Sequence, residues 1–550
     1  MENNAELIKQ RYGNPFDVLK AVERAAAQGG EGLSDDDLFM CKWLGLYTHR
    51  HEPGYFMLRT KQPNGFVTPE QLDVIADIAQ TKNKGYADLT TRQDFQLHWV
   101  HASQAAEILR QLAAVGISSL GACGDVLRNV VGCPVSGVDQ DELIDAGPIA
   151  QQVSDFFLGN PAYANLPRKY KIGIMGCVSW CAHPEIQCVA FVGASRVTEG
   201  KTEVGFDVRV GGGLSTQPFL SRRLNAFVLP QEVLEVARHI TDIWRESPEY
   251  RQKRHHARFK FLIQDWGVEK FRQALETRLG RALAPAPEGY REPAEAFRDH
   301  VGVHAQKQPG LYYIGAPVLV GRITSPQMKK VADLCRRYGD GKTIRLTVRQ
   351  NLLLLNVPER NVEKALSGLA DVGLSINAHP VRRSLVTCTG TEFCKLAITE
   401  TKARSRQIVE YLEKRVQLEE PLRLHITGCP NACAQYQTGH IGMMGSKVKV
   451  DGQIVDAYDF LVGGRLGRGA AFNHAVLRKV PATECAKRLE QLLLSYTRQR
   501  KPREPFADWC ARVGDAEVVK LLSPSQEDHP LADAEDVPVP KVPEADGPVY

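Results

Sequence analysis

Four thiols in two tight turns, Cys388-Thr-Gly-Thr-Glu-Phe-Cys394 and Gly428-Cys429-Pro-Asn-Ala-Cys433, are the residues of this chain best suited to chemistry. Four thiolates match the four irons of a [4Fe–4S] cube, which takes its ligands from short Cys-rich turns and more distant residues. The pattern points to electron transfer. A structural zinc site is the competing use. Zinc sites usually leave two to four residues between paired cysteines. The five-residue gap between Cys388 and Cys394 suits zinc poorly, whereas the three-residue gap between Cys429 and Cys433 would pass. Free Cys is also among the most buried residue types, but four of the 13 cysteines crowding into two motifs beside Gly and Pro argue against plain core thiols.

Composition limits what can carry these motifs. A chain of 550 residues, 43% hydrophobic and 24% charged, is globular and too long for one ordinary core. It has no apolar run long enough to span a bilayer, and its first residues carry acids and no apolar h-region. No membrane span or secretory signal is expected, and a cytoplasmic location is. An odd number of cysteines without a regular framework reads as reduced thiols and metal ligands rather than disulfides. The segment after Leu522 is acidic, Pro-rich and poor in large apolar residues, and is expected to be disordered. Without it the body is more basic, which suits an acidic partner, an anionic substrate, nucleic acid or a solvated surface.

The chain also repeats itself. Phe66 to Ile117 recurs as Ile323 to Leu374, about 257 residues later, with TTRQDFQ answered by TVRQNLL. Each copy reads as strand, helix, strand, helix, with Ile108, Leu109, Leu112 and Val115 at helical spacing. A second repeat follows at an offset of about 252: KIGIMGCVSWCAH around Cys177 and Cys181 matches RLHITGCPNACAQ around Cys429 and Cys433, and FDVRVGGGLS matches YDFLVGGRLG. The expected fold is α+β and internally duplicated: two ferredoxin-like half-modules paired into one sheet, plus two larger α/β modules related by a pseudo-two-fold. The expected boundaries are an N-terminal helical segment 1–54, half-module 55–122, larger module 123–290, linker 291–309, half-module 310–378, larger module 379–522 and tail 523–550.

With CTGTEFC, GCPNAC, the duplicated RQ strands and VGGGLS in view, the chain resembles the siroheme-dependent sulfite and nitrite reductases over nearly its whole length. The resemblance assigns Cys388, Cys394, Cys429 and Cys433 to a [4Fe–4S] cluster, with Cys433 also bridging to the siroheme iron. It places Arg92, Gln96, Arg168, Arg258, Lys260, Asn431 and the glycines Gly211, Gly212 and Gly213 at the macrocycle. Arg59, Arg128, Lys169 and Lys171 are implied to bind the anion and supply protons on the open haem face. Alternation along an extended segment puts Lys169 and Lys171 on one side and Tyr170 on the other.

Lys-Tyr-Lys favours sulfite over nitrite, since a dianion gains more from a second ammonium than a monoanion does. Nitrite reduction is the alternative. In some ferredoxin-dependent sulfite reductases a Tyr and a Cys beside the haem are joined, and the matching pair is Tyr47 and Cys123. A second cluster at Cys177, Cys181 and Cys188 is not expected, because these lack a partner motif like CTGTEFC. No flavin or nicotinamide module is visible, so electrons must come from another protein: a ferredoxin docking near Lys395, Lys402, Arg404 and Arg406, or a separate flavoprotein. A siroheme-free cluster protein is the rival class. The basic residues lack the interleaved aromatics of a single-strand binder, and no nucleic-acid partner is expected.

Overall fold

The computed structural model describes residues 4–287, 292–295 and 297–523. All of the expected tail except Ser523, and parts of the expected linker, lie outside the described residues. Both copies of the first repeat fold alike because they carry the same helix starts. Thr68 and Thr324 each accept the N–H of the glutamine three residues on, and the side chains of Gln71 and Gln327 reach back to the threonine N–H. Such capping boxes contribute about 1 kcal/mol each and begin the helices Pro69–Lys82 and Ser325–Tyr338, which pack against each other. The same glutamines donate to Val115 O at 3.0 Å and Val372 O at 2.9 Å.

The strand, helix, strand, helix reading omits one strand per copy. Tyr86–Leu89 and Ile344–Leu346 precede the apolar strands Phe95–His101 and Leu352–Pro358. They are too short for alternation to reveal them.

The half-modules are duplicated as expected, but they form two five-stranded sheets rather than one. The physical reason is an exchange of edge strands. Arg322–Thr324 of the second copy pairs antiparallel with Tyr86–Leu89 of the first, and Phe66–Val67 of the first pairs with Ile344–Leu346 of the second. Each sheet is thereby closed at one edge by the other copy, and a single apolar core runs through both. The first sheet is completed by Leu46–Thr48 and Tyr55–Arg59, and the second by Gly302–Ala305 and Leu311–Ala316. Gly302–Ala305 falls within the segment expected to be linker.

The pseudo-two-fold is visible in reciprocal contacts. Gln93 Nε2 donates to Leu346 O at 2.9 Å while its counterpart Gln350 Nε2 donates to Leu89 O at 2.8 Å. The equivalent residues His183 and Gln435 meet each other, Nδ1 to Oε1 at 3.0 Å. Each larger module has its own sheet and core. In the second, Val386–Thr387 and Leu424–Thr427 lie parallel, so the chain emerges at the same sheet edge immediately before Cys388 and before Gly428-Cys429. In the first, Ile172–Met175 ends just before Cys177, and Val131, two residues before Cys133, forms a parallel bridge to Gly173. No helix among the described residues is long and apolar enough to cross a membrane.

Candidate active site

The two cysteine motifs converge at that sheet edge. Gly390 is required in the first turn: its φ is +69° and a Cβ there would sit 2.5 Å from Thr401 Oγ1, the hydroxyl that donates to Cys388 O at 2.6 Å. The sulfurs already receive polar hydrogens. Gly428 N–H donates to Cys388 Sγ at 3.2 Å, Thr427 Oγ1 to the same sulfur at 3.7 Å, and Asn431 Nδ2 to Cys429 Sγ at 3.5 Å. Donors to cluster sulfurs stabilise the anionic thiolate and tune the reduction potential. Burial pushes the thiols of Cys388, Cys429 and Cys394 up, Cys394 to about 11, so a metal bound there would displace protons.

The first half-module holds the loop in place. Arg50 Nη1 donates to Cys394 O at 3.0 Å and Ala397 O at 2.7 Å, Thr91 Oγ1 to Cys433 O at 3.1 Å, and Gln96 Nε2 to Thr389 Oγ1 at 3.1 Å. Beneath it, Arg322 on the exchanged strand joins Asp88 to Glu392, and Phe393 stacks on His98 with ring centroids 3.8 Å apart.

Cys429 is buried, Cys388 and Cys394 are half-buried, and Cys433 is exposed. Cys433 lies within the electrostatic reach of Arg59 and Lys169, and these begin a field of cations. Burial pulls Lys169 down to about 7, reinforced by Arg258 and Arg128 and opposed by Cys433. Burial, then Arg92, Lys169 and Arg258, hold Lys171 well below the usual lysine range. Burial takes Arg92 down to about 10, where Asp94 opposes it and Arg128 adds to it. Lys260 falls to about 8 through burial and Arg258. Arg59 moves the other way: burial is outweighed by Cys123, Asp94, Tyr47 and Cys433. Neither the Lys169 nor the Lys171 side chain makes a hydrogen bond or ion pair among the described residues, although the Lys171 carbonyl accepts from Val189 N–H at 3.1 Å. Tyr170, between them, is fully buried against Phe259.

The remaining residues named from the sequence have definite partners. Arg59 Nε donates to Gln96 Oε1 at 3.1 Å. Arg92 bonds Gln187 and Asn129 O but leaves its buried Nε unpartnered, as does Arg258. Arg128 is held by Gly124 O and Ala122 O, and Arg168 by Asp125 at 2.9 Å. Lys260 donates to Leu214 O and Gln217 O. The close approaches of Gly211 and Gly212 are to protein, Ile263 for one and the Gln187 and Glu185 carbonyls for the other, and only Gly213 faces Arg258 and Lys260. Tyr47 lies within electrostatic reach of Cys123, and burial and that thiol push its phenol up to about 12. Cys188 lies beside Arg258, apart from the Cys177 and Cys181 pair.

Two placements differ from the sequence reading. Lys402 is no docking residue: it is 3% exposed, donates to Val320 O and sits 3.6 Å from Asp88. Its ammonium is drawn inward by a buried carboxylate more than three hundred positions away. Lys61, not singled out, is 5% exposed and is pulled down to about 8 by burial, then Arg128 and Arg92. The Arg59-x-Lys61 alternation would have flagged it.

Comparison with known proteins decides what this field surrounds. Residues 123–283 and 379–529 match a family described as the nitrite and sulphite reductase 4Fe-4S domain, and residues 47–115 and 304–372 match the nitrite/sulfite reductase ferredoxin-like half domain. The chain belongs to the nitrite and sulfite reductase family. It is 35% identical to an assimilatory ferredoxin-dependent nitrite reductase of Haloferax mediterranei over 94% of this chain and 92% of that protein. It is 36% identical to a sulfite reductase [ferredoxin] of Mycobacterium tuberculosis over 94% and 96%. The solved Mycobacterium tuberculosis NirA protein superposes with a TM-score of 0.87 at 35% identity, covering 94% of this chain and 97% of that one. This family member is an oxidoreductase whose cofactors are siroheme and a [4Fe–4S] cluster. This cationic field fits a polycarboxylate ring, since it gathers the half-buried Lys169 and Lys171 without ion-pair partners and includes buried guanidinium nitrogens left unpartnered at Arg92 and Arg258.

Proposed function

We propose that the chain is a ferredoxin-dependent sulfite reductase that converts sulfite to sulfide in an assimilatory six-electron reaction. Cys388, Cys394, Cys429 and Cys433 would hold the cluster, and the exposed Cys433 would be shared with the siroheme iron. Arg92, Arg168, Arg258 and Lys260, with Gln96 and Gly213, would line the macrocycle. When bound, the coupled cofactors supply a site for the anion at iron and a path for single electrons.

The protein's own part is electrostatic. Arg59, Arg128, Lys169 and Lys171 attract the anion, orient its oxygens and hold protons near them, because each departing oxygen must leave as water. Lys169, at about 7, is poised to give and regain a proton near neutral pH. The observation that carries the choice of sulfite is the pair of lysine amines, Lys169 and Lys171, without protein counterions on one side of the segment, whose lowered proton affinity a bound anion would raise again. A dianion gains more from the second charge than nitrite does.

The nitrite reading, reduction to ammonia, is favoured by the names of some relatives, including a chloroplastic ferredoxin–nitrite reductase of Zea mays at 38% identity over 84% of this chain. The donor reading rests on the relatives' names and on surface chemistry beside the cluster. Lys395 directly follows Cys394 and is exposed, Leu396 beside it is 69% exposed, and Arg404 and Arg406, on the helix that follows in the chain, are half-buried. An exposed apolar residue beside an exposed lysine suits an acidic iron–sulfur donor, and a flavoprotein with an acidic docking face is the alternative. The test is steady-state turnover of the holoenzyme with reduced ferredoxin, comparing kcat/KM for sulfite and nitrite. Preference for sulfite supports the reading, and preference for nitrite replaces it.

A further inference from the structure

The duplication extends to the cluster ligands. Cys177 and Cys181 stand where Cys429 and Cys433 stand in the second half, and Cys133 stands where Cys388 does, about 255 residues earlier. The placement is equivalent too: Cys133 and Cys177 both follow parallel-paired segments at one sheet edge. Arg349, the counterpart of Arg92, lies within electrostatic reach of Cys181 as Arg59 does of Cys433.

The fourth ligand is what differs. The position matching Cys394 is Asp139, and it is engaged by Arg298 at 2.8 and 2.9 Å. Two residues after that arginine comes His300. Its ring is 2% exposed, and neither nitrogen has a hydrogen-bond partner. Ligand atoms of Cys133, Cys181 and His300 lie within 4.8 Å of one another, and Cys177 Sγ is 3.3 Å from Cys181 Sγ. Cys133 lies within electrostatic reach of both Cys177 and Cys181, and Cys177 joins the group through its contact with Cys181.

These distances exclude a second cubane. A cluster spreads its four thiolates over the corners of an iron–sulfide cube, much farther apart than sulfurs in mutual contact. They suit one ion. Ligands at about 2.3 Å in a tetrahedron stand about 3.8 Å apart, and Cys3His is a closed structural zinc set. The surroundings complete the case. All four residues are buried within or beside an apolar cluster that includes Val131, Val135, Trp180, Tyr313 and Leu353, so there is no open position for substrate. Three thiolates around a divalent ion leave one net negative charge, and burying that requires a cation nearby. Arg298 and Arg349 supply it, the second with all three guanidinium nitrogens buried and without hydrogen bonds.

We propose that Cys133, Cys177, Cys181 and His300 bind a single structural zinc ion, which fastens the first larger module to the segment that leads into the second half-module. Binding would leave the [4Fe–4S] site untouched. Zinc carries no redox change, so the first half would keep a cross-link where the second keeps an electron carrier.

The test is metal analysis of the purified holoenzyme after non-denaturing EDTA treatment and desalting, with X-ray absorption at the zinc edge. One zinc per chain in a three-sulfur, one-nitrogen shell is expected. Cys133→Ser and His300→Ala are expected to lose the zinc while retaining siroheme and cluster iron. Because either variant could fail to fold, the unsubstituted holoenzyme decides the matter. Zinc below about a tenth per chain, with the three cysteines recovered as free thiols after anaerobic denaturation or with Cys177 disulfide-bonded to Cys181, overturns the proposal. A mononuclear iron site in its place overturns the choice of metal.

Discussion

Asp88→Asn tests whether one buried carboxylate holds both the exchanged strand and the cluster loop. Asp88 is 1% exposed and meets Arg322 Nε at 2.9 Å, His98 Nε2 at 2.9 Å and Lys402 Nζ at 3.6 Å. Arg322 reaches on to Glu392 at 2.9 Å, and Phe393 lies on His98, so the residues before Cys394 depend on the same anchor. The substitution keeps the shape and removes one charge, leaving Arg322 and Lys402 to share Glu392. Breaking a buried pair costs about 3–5 kcal/mol. Arg322 is 14% exposed and keeps one partner, so the low end applies, about 3 kcal/mol, or roughly 10²-fold in the opening that exposes the cluster.

The assay is loss of cluster absorbance to an anaerobic chelator. In the parent, the Asp88 carboxylate is held well below its ordinary range by Arg322, Lys402 and His98, against the opposing effect of burial. Its contribution is therefore complete above about pH 4 and lost only as pH falls through the folded value. In the variant, burial still lowers Lys402, without Asp88 to counter it. The unfolded chain then binds more protons than the folded one as pH approaches the ordinary lysine value of about 10 from below, and the excess loss rate should shrink as pH rises towards it. Cluster loss within twofold of the parent at pH 7, with no added pH dependence, would refute the reasoning.

Lys171→Asn should reduce kcat/KM for sulfite more than for nitrite, by about tenfold, since removing a nearby charge costs the dianion an extra 1–2 kcal/mol at the dielectric of a partly buried site; equal losses would sink the charge argument. Tyr47 lies within electrostatic reach of Cys123, and a two-electron oxidation should join the two as a thioether in the active enzyme, read as an intact mass two hydrogens short; both residues unmodified in peptide mapping would end that idea. Lys395→Glu should raise KM for ferredoxin several-fold at low salt, with the difference vanishing at high ionic strength, while an unchanged KM would move the docking face elsewhere.

Much of this was legible because the chain carries its motifs twice. Cys388, Cys394, Cys429 and Cys433 announce themselves by spacing, and the two half-modules share cap, helix and RQ turn closely enough to align by eye. The strand exchange was not legible, because pairing between Arg322–Thr324 and Tyr86–Leu89 depends on contacts across more than two hundred residues and leaves no periodic trace. Lys402 misled for a related reason: beside surface cations it reads as one more, and only the remote Asp88 turns it inward. Cys133 went unnoticed because a lone thiol in a Gly-Cys-Pro turn carries no spacing signal until the fold brings Cys177, Cys181 and His300 to it.

The central claim is that the exposed Cys433 joins the cluster to the catalytic haem. Siroheme content and sulfite turnover of Cys433→Ser, measured beside the parent in the same spectrally quantified preparation, test it most directly. The account predicts that siroheme attachment and turnover are lost together. A Cys433→Ser enzyme that retains its siroheme bands and turns over sulfite at the parental rate would contradict it.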